Sequence, residues 1–193
     1  MIDTIRILAF AGSTRKESFN KKLVGLAAEG ARVAGADVTE IDLRDYPMPL
    51  FGQDLEAREG MPETAQQLKQ LFLDHQGFLI ASPEYNSSVS AVLKNTIDWL
   101  SRAETSDEPP LSAFAGKVAV LMAASPGGLG GLRGLVHLRA ILGNIRVLVL
   151  PEQRAVSAAH KAFGADGSLV DAKQHQAILD LGTRLVEVLD KLG

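Results

Sequence analysis

The 193-residue sequence has no cysteine, which removes disulfide frameworks, thiolate zinc or iron–sulfur sites and a cysteine nucleophile at once, and fits a reducing compartment. It also lacks an excess of either charge. Twenty Lys plus Arg against 23 Asp plus Glu leave a formal charge of −3, no electrostatic footprint for DNA or RNA. No apolar run approaches the roughly 20 residues needed to span a bilayer. Residues 1–10 place Asp3 and Arg6 inside a short apolar run, unlike the basic-then-apolar plan of a signal peptide. There is no G-x-S-x-G elbow, no H-E-x-x-H and no Walker A loop, so hydrolase and P-loop readings have no nucleophile, metal or lysine to rest on. The expectation is a cytoplasmic chain that uses neither nucleic acid nor membrane as a partner. Asn86-Ser87-Ser88 matches a glycosylation acceptor, which carries no meaning without secretion.

What is present is an ordinary globular composition, 46% hydrophobic and 22% charged. A chain of this length buries roughly 70% of its unfolded surface, enough for one core, and residues 1–193 read as a single domain. Four short apolar runs, 5–11, 77–81, 118–123 and 145–150, read as buried strands. Residues 37–43 alternate less cleanly and read as a strand nearer an edge. Between them lie helical spacings: Leu23, Leu26, Ala27 and Ala31; Leu68, Leu71 and Phe72; Val92, Leu93, Ile97 and Leu100; Leu135, Leu138 and Leu142; Ile178, Leu181, Leu185 and Leu189. Strand then helix, five times over, predicts an α/β doubly wound parallel sheet with helices on both faces, because right-handed crossovers return each helix to the sheet. Ligands of such sheets bind outside the carboxyl ends of the strands. Two connections, 45–62 and 151–171, exceed the usual length; each is either a surface excursion or a subunit contact or ligand wall.

The loop after the first strand, Gly12-Ser13-Thr14-Arg15-Lys16-Glu17-Ser18-Phe19-Asn20, crowds hydroxyls and a guanidinium at a helix entrance. Unpaired N–H groups and the helix dipole favour an anion there, and a phosphate monoester fits Ser13, Arg15 and Ser18. The bland alternative is that Ser18 or Asn20 caps the helix and Arg15 is a solvated charge. The loop after the third strand, Ser82-Pro83-Glu84-Tyr85-Asn86-Ser87-Ser88, is polar around one aromatic and suits the edge of a flat heteroaromatic ring, Asn86 offering both donor and acceptor. The alternative is an ordinary turn in which Asn86 tolerates a left-handed conformation. After the fourth strand, Ser125-Pro126-Gly127-Gly128-Leu129-Gly130-Gly131 carries four glycines that allow close backbone approach to a ligand. Gly128 to Arg133 imitates a dinucleotide fingerprint, but arginine stands at its final glycine position and no acidic residue follows at the required distance. His75, His137, His160 and His175 are scattered and read as structural.

Gly-Ser-Thr-Arg-Lys-Glu-Ser-Phe-Asn, Pro-Glu-Tyr-Asn and Leu-Lys-Asn-Thr-Ile-Asp-Trp-Leu together resemble the flavodoxin-like NADPH-dependent FMN reductase family, which includes quinone, azo and chromate reductases, and the resemblance spans nearly the whole chain. It implies a five-stranded parallel sheet of order 2-1-3-4-5. It also implies that the FMN phosphate lies against Ser13, Arg15, Ser18 and Asn20, and that the ring is bordered by Pro83, Glu84, Tyr85, Asn86 and Ser87 and by Ser125, Gly127 and Gly128. Ser87 stands where many relatives have glycine. The implied activity passes hydride from NADPH or NADH to bound FMN and then to a quinone, azo compound, metal oxyanion or free flavin, with the flavin performing the chemistry and no catalytic side chain demanded. A flavodoxin-type electron carrier is the alternative; such carriers are strongly acidic, which −3 is not. The resemblance further implies a homodimer or homotetramer, with the 45–62 connection as the candidate contact.

Overall fold

Five segments rich in apolar residues form one parallel sheet in the computed structural model, which describes residues 4–193. Met1 to Asp3, and with them the start of the 1–10 segment and of the expected domain, lie outside the described residues. The strands are β1 (Arg6–Ala11), β2 (Asp37–Asp42), β3 (Gly77–Ala81), β4 (Val118–Ala124) and β5 (Leu148–Val156), in the order β2-β1-β3-β4-β5. The helices are α1 (Phe19–Val33), α2 (Gln53–Glu59), α3 (Glu63–Asp74), α4 (Ala91–Leu100), α5 (Leu132–Asn144), α6 (Ala159–Ala162) and α7 (Ala172–Leu192). Reversal of strand order between β1 and β3 opens a crevice at their carboxyl ends.

Alternate residues of each strand face opposite layers. Ile7, Ala9, Leu79, Val120 and Met122 pack under α1 and α7, while Leu8, Phe10, Phe78, Ile80 and Leu121 pack under α3, α4 and α5. β3 and β4 are buried throughout, whereas the edge strands β2 and β5 are only partly covered. On the first face, α1 and α7 meet backbone to backbone. A side chain at Gly30 would collide with the Leu179 carbonyl, and one at Gly182 with the Ala27 carbonyl.

One expectation needs correction, and the two long connections hold structure of their own. The last strand does not span 145–150: Ile145 caps α5, Arg146 sits at φ 69° and the Val147 N–H returns to Leu142 O, so pairing starts at Leu148. It then passes Pro151 to Val156, because an edge strand absorbs a proline where the register slips between Ala119 and Leu121. The 151–171 connection is therefore mostly structured, comprising the end of β5, α6 and a Phe163–Leu169 bridge. The 45–62 connection likewise contains α2, which buries no residue and so shows no apolar stripe. It docks on α4 of its own chain: Asn95 Nδ2 and Trp99 Nε1 both donate to Pro49 O (2.9 and 2.8 Å), the Phe51 N–H donates to Asn95 Oδ1 (2.8 Å), and Arg102 pairs with Glu56 (2.7 Å).

Candidate functional site

Three loops converge at the carboxyl ends of β1, β3 and β4. Parallel pairing brings the strand ends level, and main-chain bonds continue the ladder beyond them: Gly12 N–H to Ala81 O (2.9 Å), Ser82 N–H to Met122 O (2.8 Å) and Ser125 N–H to Val156 O (3.1 Å). Ser90 caps α4 by accepting from the Leu93 N–H (3.3 Å) and donates its hydroxyl to Gly12 O (2.6 Å), which joins the first and second loops. Ser13, Arg15, Ser18, Asn20, Pro83, Glu84, Tyr85 and Ser125 all line one cleft enclosing about 80 Å³. Phe19, Ala124 and Pro126 complete its wall; each adjoins a residue nominated from the sequence, the only signal that marks them.

The start of α1 is uncapped. Ser18 occupies the N-cap position in extended conformation, yet its side chain makes no capping bond, although its carbonyl accepts from the Lys21 and Lys22 N–H groups. Among the described residues, the N–H groups of Phe19 and Asn20 find no acceptor. Ser13 is buried and accepts from the Arg15 N–H (3.3 Å), while Arg15 is exposed and has no carboxylate partner among the described residues. Two other cations near the cleft are committed elsewhere: Lys21 to Asp42 (2.5 Å) and Arg133 to Glu84 (2.9 Å). Asn20 does not cap the helix either. Its buried amide clamps Ala124, donating to the carbonyl and accepting from the N–H, both at 2.9 Å, so α1 is tied to the end of β4.

The second loop turns on residues 85–88. Tyr85 and Ser88 exchange two main-chain hydrogen bonds (2.9 and 3.0 Å) around Asn86 and Ser87, whose φ values are 50° and 67°. That is the pattern of a type I′ turn, in which both central residues are left-handed. Glu84 faces α5: it accepts from Arg133 Nε (3.0 Å) and from the Gly134 N–H (3.1 Å), supplying the cap that Gly131 cannot. Burial drives its carboxyl pKa upward, but the Gly134 N–H and the Arg133 guanidinium outweigh that and hold it below the usual glutamate range. The Glu84 carboxylate is thus a brace between two loops.

In the third loop, Gly130 and Gly131 have φ values of 63° and 94°; a Cβ at Gly130 would crowd the 155–157 backbone and one at Gly131 would crowd Ala123. These two glycines serve the protein's own packing. Gly127 and Gly128 are exposed; a Cβ at Gly128 would meet open space and one at Gly127 only the Ser125 hydroxyl, 3.6 Å away. Asn86, Ser87, Gly127 and Gly128 do not line the cleft and stand beyond it, on the segments that flank its mouth. His75 is spent on Leu71 O (2.6 Å) and Thr39 Oγ1 (2.9 Å), and no metal-holding cluster occurs among the described residues.

Residues 5–161 match the model of the NADPH-dependent FMN reductase family. An NAD(P)H-dependent FMN reductase of Pseudomonas aeruginosa is 35% identical over 92% of this chain and 91% of its own. The quinone reductase of Escherichia coli K12 is 34% identical over 89% and 88%. Among solved structures, the NAD(P)H:acceptor oxidoreductase FerB of Paracoccus denitrificans superposes with a TM-score of 0.80 at 26% identity, covering 97% of this chain and 98% of its own. Motifs, sheet order and the convergence of the three loops agree with these matches, and the chain belongs to the NADPH-dependent FMN reductase family of oxidoreductases.

Proposed function

We propose that the chain holds FMN with its phosphate at the start of α1 and its ring across the outer surfaces of the second and third loops. The observation that carries this is the uncapped α1: two N–H groups and a Ser18 hydroxyl without partners among the described residues, the positive end of the dipole, and an Arg15 guanidinium that reaches only the Glu17 carbonyl (3.4 Å) and no carboxylate among those residues converge where a phosphate would complete them. The enclosed space of about 80 Å³ suits a phosphate-sized group, far below the few hundred Å³ of a site that encloses a whole ligand. The ring would therefore lie outside, against the segments carrying Tyr85, Asn86, Gly127 and Gly128. What FMN supplies when bound is two-electron chemistry, accepting hydride from NADPH or NADH and delivering it to an acceptor. The protein's part is to bind, orient and leave one ring face open to both partners. A quinone is the acceptor we favour, on the naming of the relatives; azo compounds, metal oxyanions and free flavin are alternatives. We further propose a homodimer or homotetramer, supported by the exposed apolar side chains of Tyr85, Leu129, Leu132 and Val136 on the second and third loops and the start of α5.

Titration of FMN into the wild type and Arg15→Ala tests the phosphate assignment. Loss of a charged hydrogen bond worth about 1.5 kcal/mol or more should weaken FMN at least about tenfold, while turnover at saturating FMN changes little. Equal affinity in the two proteins would place the phosphate elsewhere. In the wild type, bleaching of the bound flavin by NADPH without oxygen and its return on adding a quinone would establish the cycle; binding without bleaching would make the chain a carrier.

A further inference from the structure

Phe163 lies outside the cleft, in the connection between β5 and α7, yet its ring stacks on that of Phe19, the first residue of α1 and part of the cleft wall. The centroids are 5.7 Å apart and the planes 15° from parallel. The same connection is bonded to the third loop. Its Ala159 N–H donates to Ser125 O (3.0 Å), its Ala158 N–H donates to Gly127 O (3.3 Å), and its Ser157 backbone packs on Gly130 so closely that a Cβ there would lie 2.8 Å from Ser157 N. Its far end is anchored by the Phe163–Leu169 bridge, the Gly164 N–H donating to Ser168 O (2.8 Å) and Leu169 buried in the core. One short segment therefore grips the third loop through its backbone and the start of α1 through a ring.

We infer that residues 157–163 are a clasp that sets the distance between the start of α1 and the third loop, and that Phe163 is a positioning residue for the phosphate-binding groups. The inference rests on the phosphate reading above. The free N–H groups of Phe19 and Asn20 bind an anion strongly only if their direction is fixed in advance, since ordering them on binding would consume affinity. Asn20 fixes one side of this turn through Ala124, and the stacked ring fixes the other. Phe163 itself is not part of the cleft wall.

The test compares FMN with riboflavin, which lacks only the phosphate, by flavin fluorescence titration of the wild type, Phe163→Ala and Phe163→Tyr. An aromatic pair worth about 0.5–1.5 kcal/mol predicts FMN binding roughly two- to twelvefold weaker in Phe163→Ala with riboflavin affinity unchanged, so that the preference for the phosphate shrinks; Phe163→Tyr, which keeps the ring, retains it. If Phe163→Ala proves unfolded by circular dichroism, Phe163→Leu takes its place with the same expectation. A full FMN preference in the ring-less variant overturns the inference and leaves the phosphate reading intact. Equal weakening of both flavins also overturns it, because a merely structural defect does not single out the phosphate. A wild type with no preference for FMN over riboflavin overturns the phosphate reading and the inference together.

Discussion

Ser87 and Asn86 sit side by side at positive φ, the one place near the site where the chain asks two non-glycine residues to adopt the left-handed region. Asn tolerates that region because its side chain can bond locally; Ser does so less well, at a cost of about 1 kcal/mol. Ser87→Gly should therefore raise stability by about 1 kcal/mol, measured by urea denaturation; an unchanged or lower midpoint would show that the Ser87 side chain contributes more than its backbone costs. The sequence shows Asn86 as a left-handed candidate and Ser87 as a departure from glycine, but only the paired bonds between Tyr85 and Ser88 show that both belong to one turn. Asn20 and Glu84 teach the complementary lesson. Both line the cleft as their motifs imply, yet the amide of one is bonded to Ala124 and the carboxylate of the other to Arg133 and Gly134. A motif marks which residues gather at a site; it does not say which polar atoms face the ligand.

Among the elements, α4 shows how a family motif divides its labour. In Leu93-Lys94-Asn95-Thr96-Ile97-Asp98-Trp99-Leu100, Leu93, Ile97, Trp99 and Leu100 are core, whereas Asn95 and the Trp99 indole hold the 45–62 excursion by the Pro49 carbonyl. Phe51 adds an edge-on contact to Trp99, with centroids 5.0 Å apart. Trp99→Phe should cost at least about 1 kcal/mol, through the lost hydrogen bond and the space a smaller ring leaves in the core, and limited proteolysis should then cut within 45–62 faster than in the wild type. Unchanged cleavage would mean that Asn95 and the Arg102–Glu56 pair hold the segment without the indole. Strands and amphipathic helices were legible because burial on one face imposes a period on the sequence. α2 was not, since Leu55 is its one apolar contact with the core and is only half-buried, and the course of β5 was hidden because Pro151 reads as an end unless the strand is known to be an edge.

At the scale of the whole molecule, the doubly wound parallel sheet and the gathering of loops at its strand ends follow from alternation and handedness, while the order 2-1-3-4-5 was implied by the family resemblance, so the place of the site was readable before its atoms were. Association is not written in any period. If the proposed homo-oligomer forms, sedimentation at working concentration should give a mass at least twice 20.6 kDa, and a monomer would dismiss it. The crossing of α1 and α7 has a consequence in time. Gly30 and Gly182 let these helices touch through their backbones, so one face of the sheet is covered by the first helix made and by α7, about 140 residues later in the chain. During synthesis at about 5–20 residues per second, the roughly 150 residues between those contacts take on the order of ten seconds to emerge. Throughout that interval Leu23, Val24 and Ala27 of α1 have no α7 to close over them. The nascent chain carries an unfinished hydrophobic face until α7 leaves the ribosome, longer than a protein whose early helices find early partners.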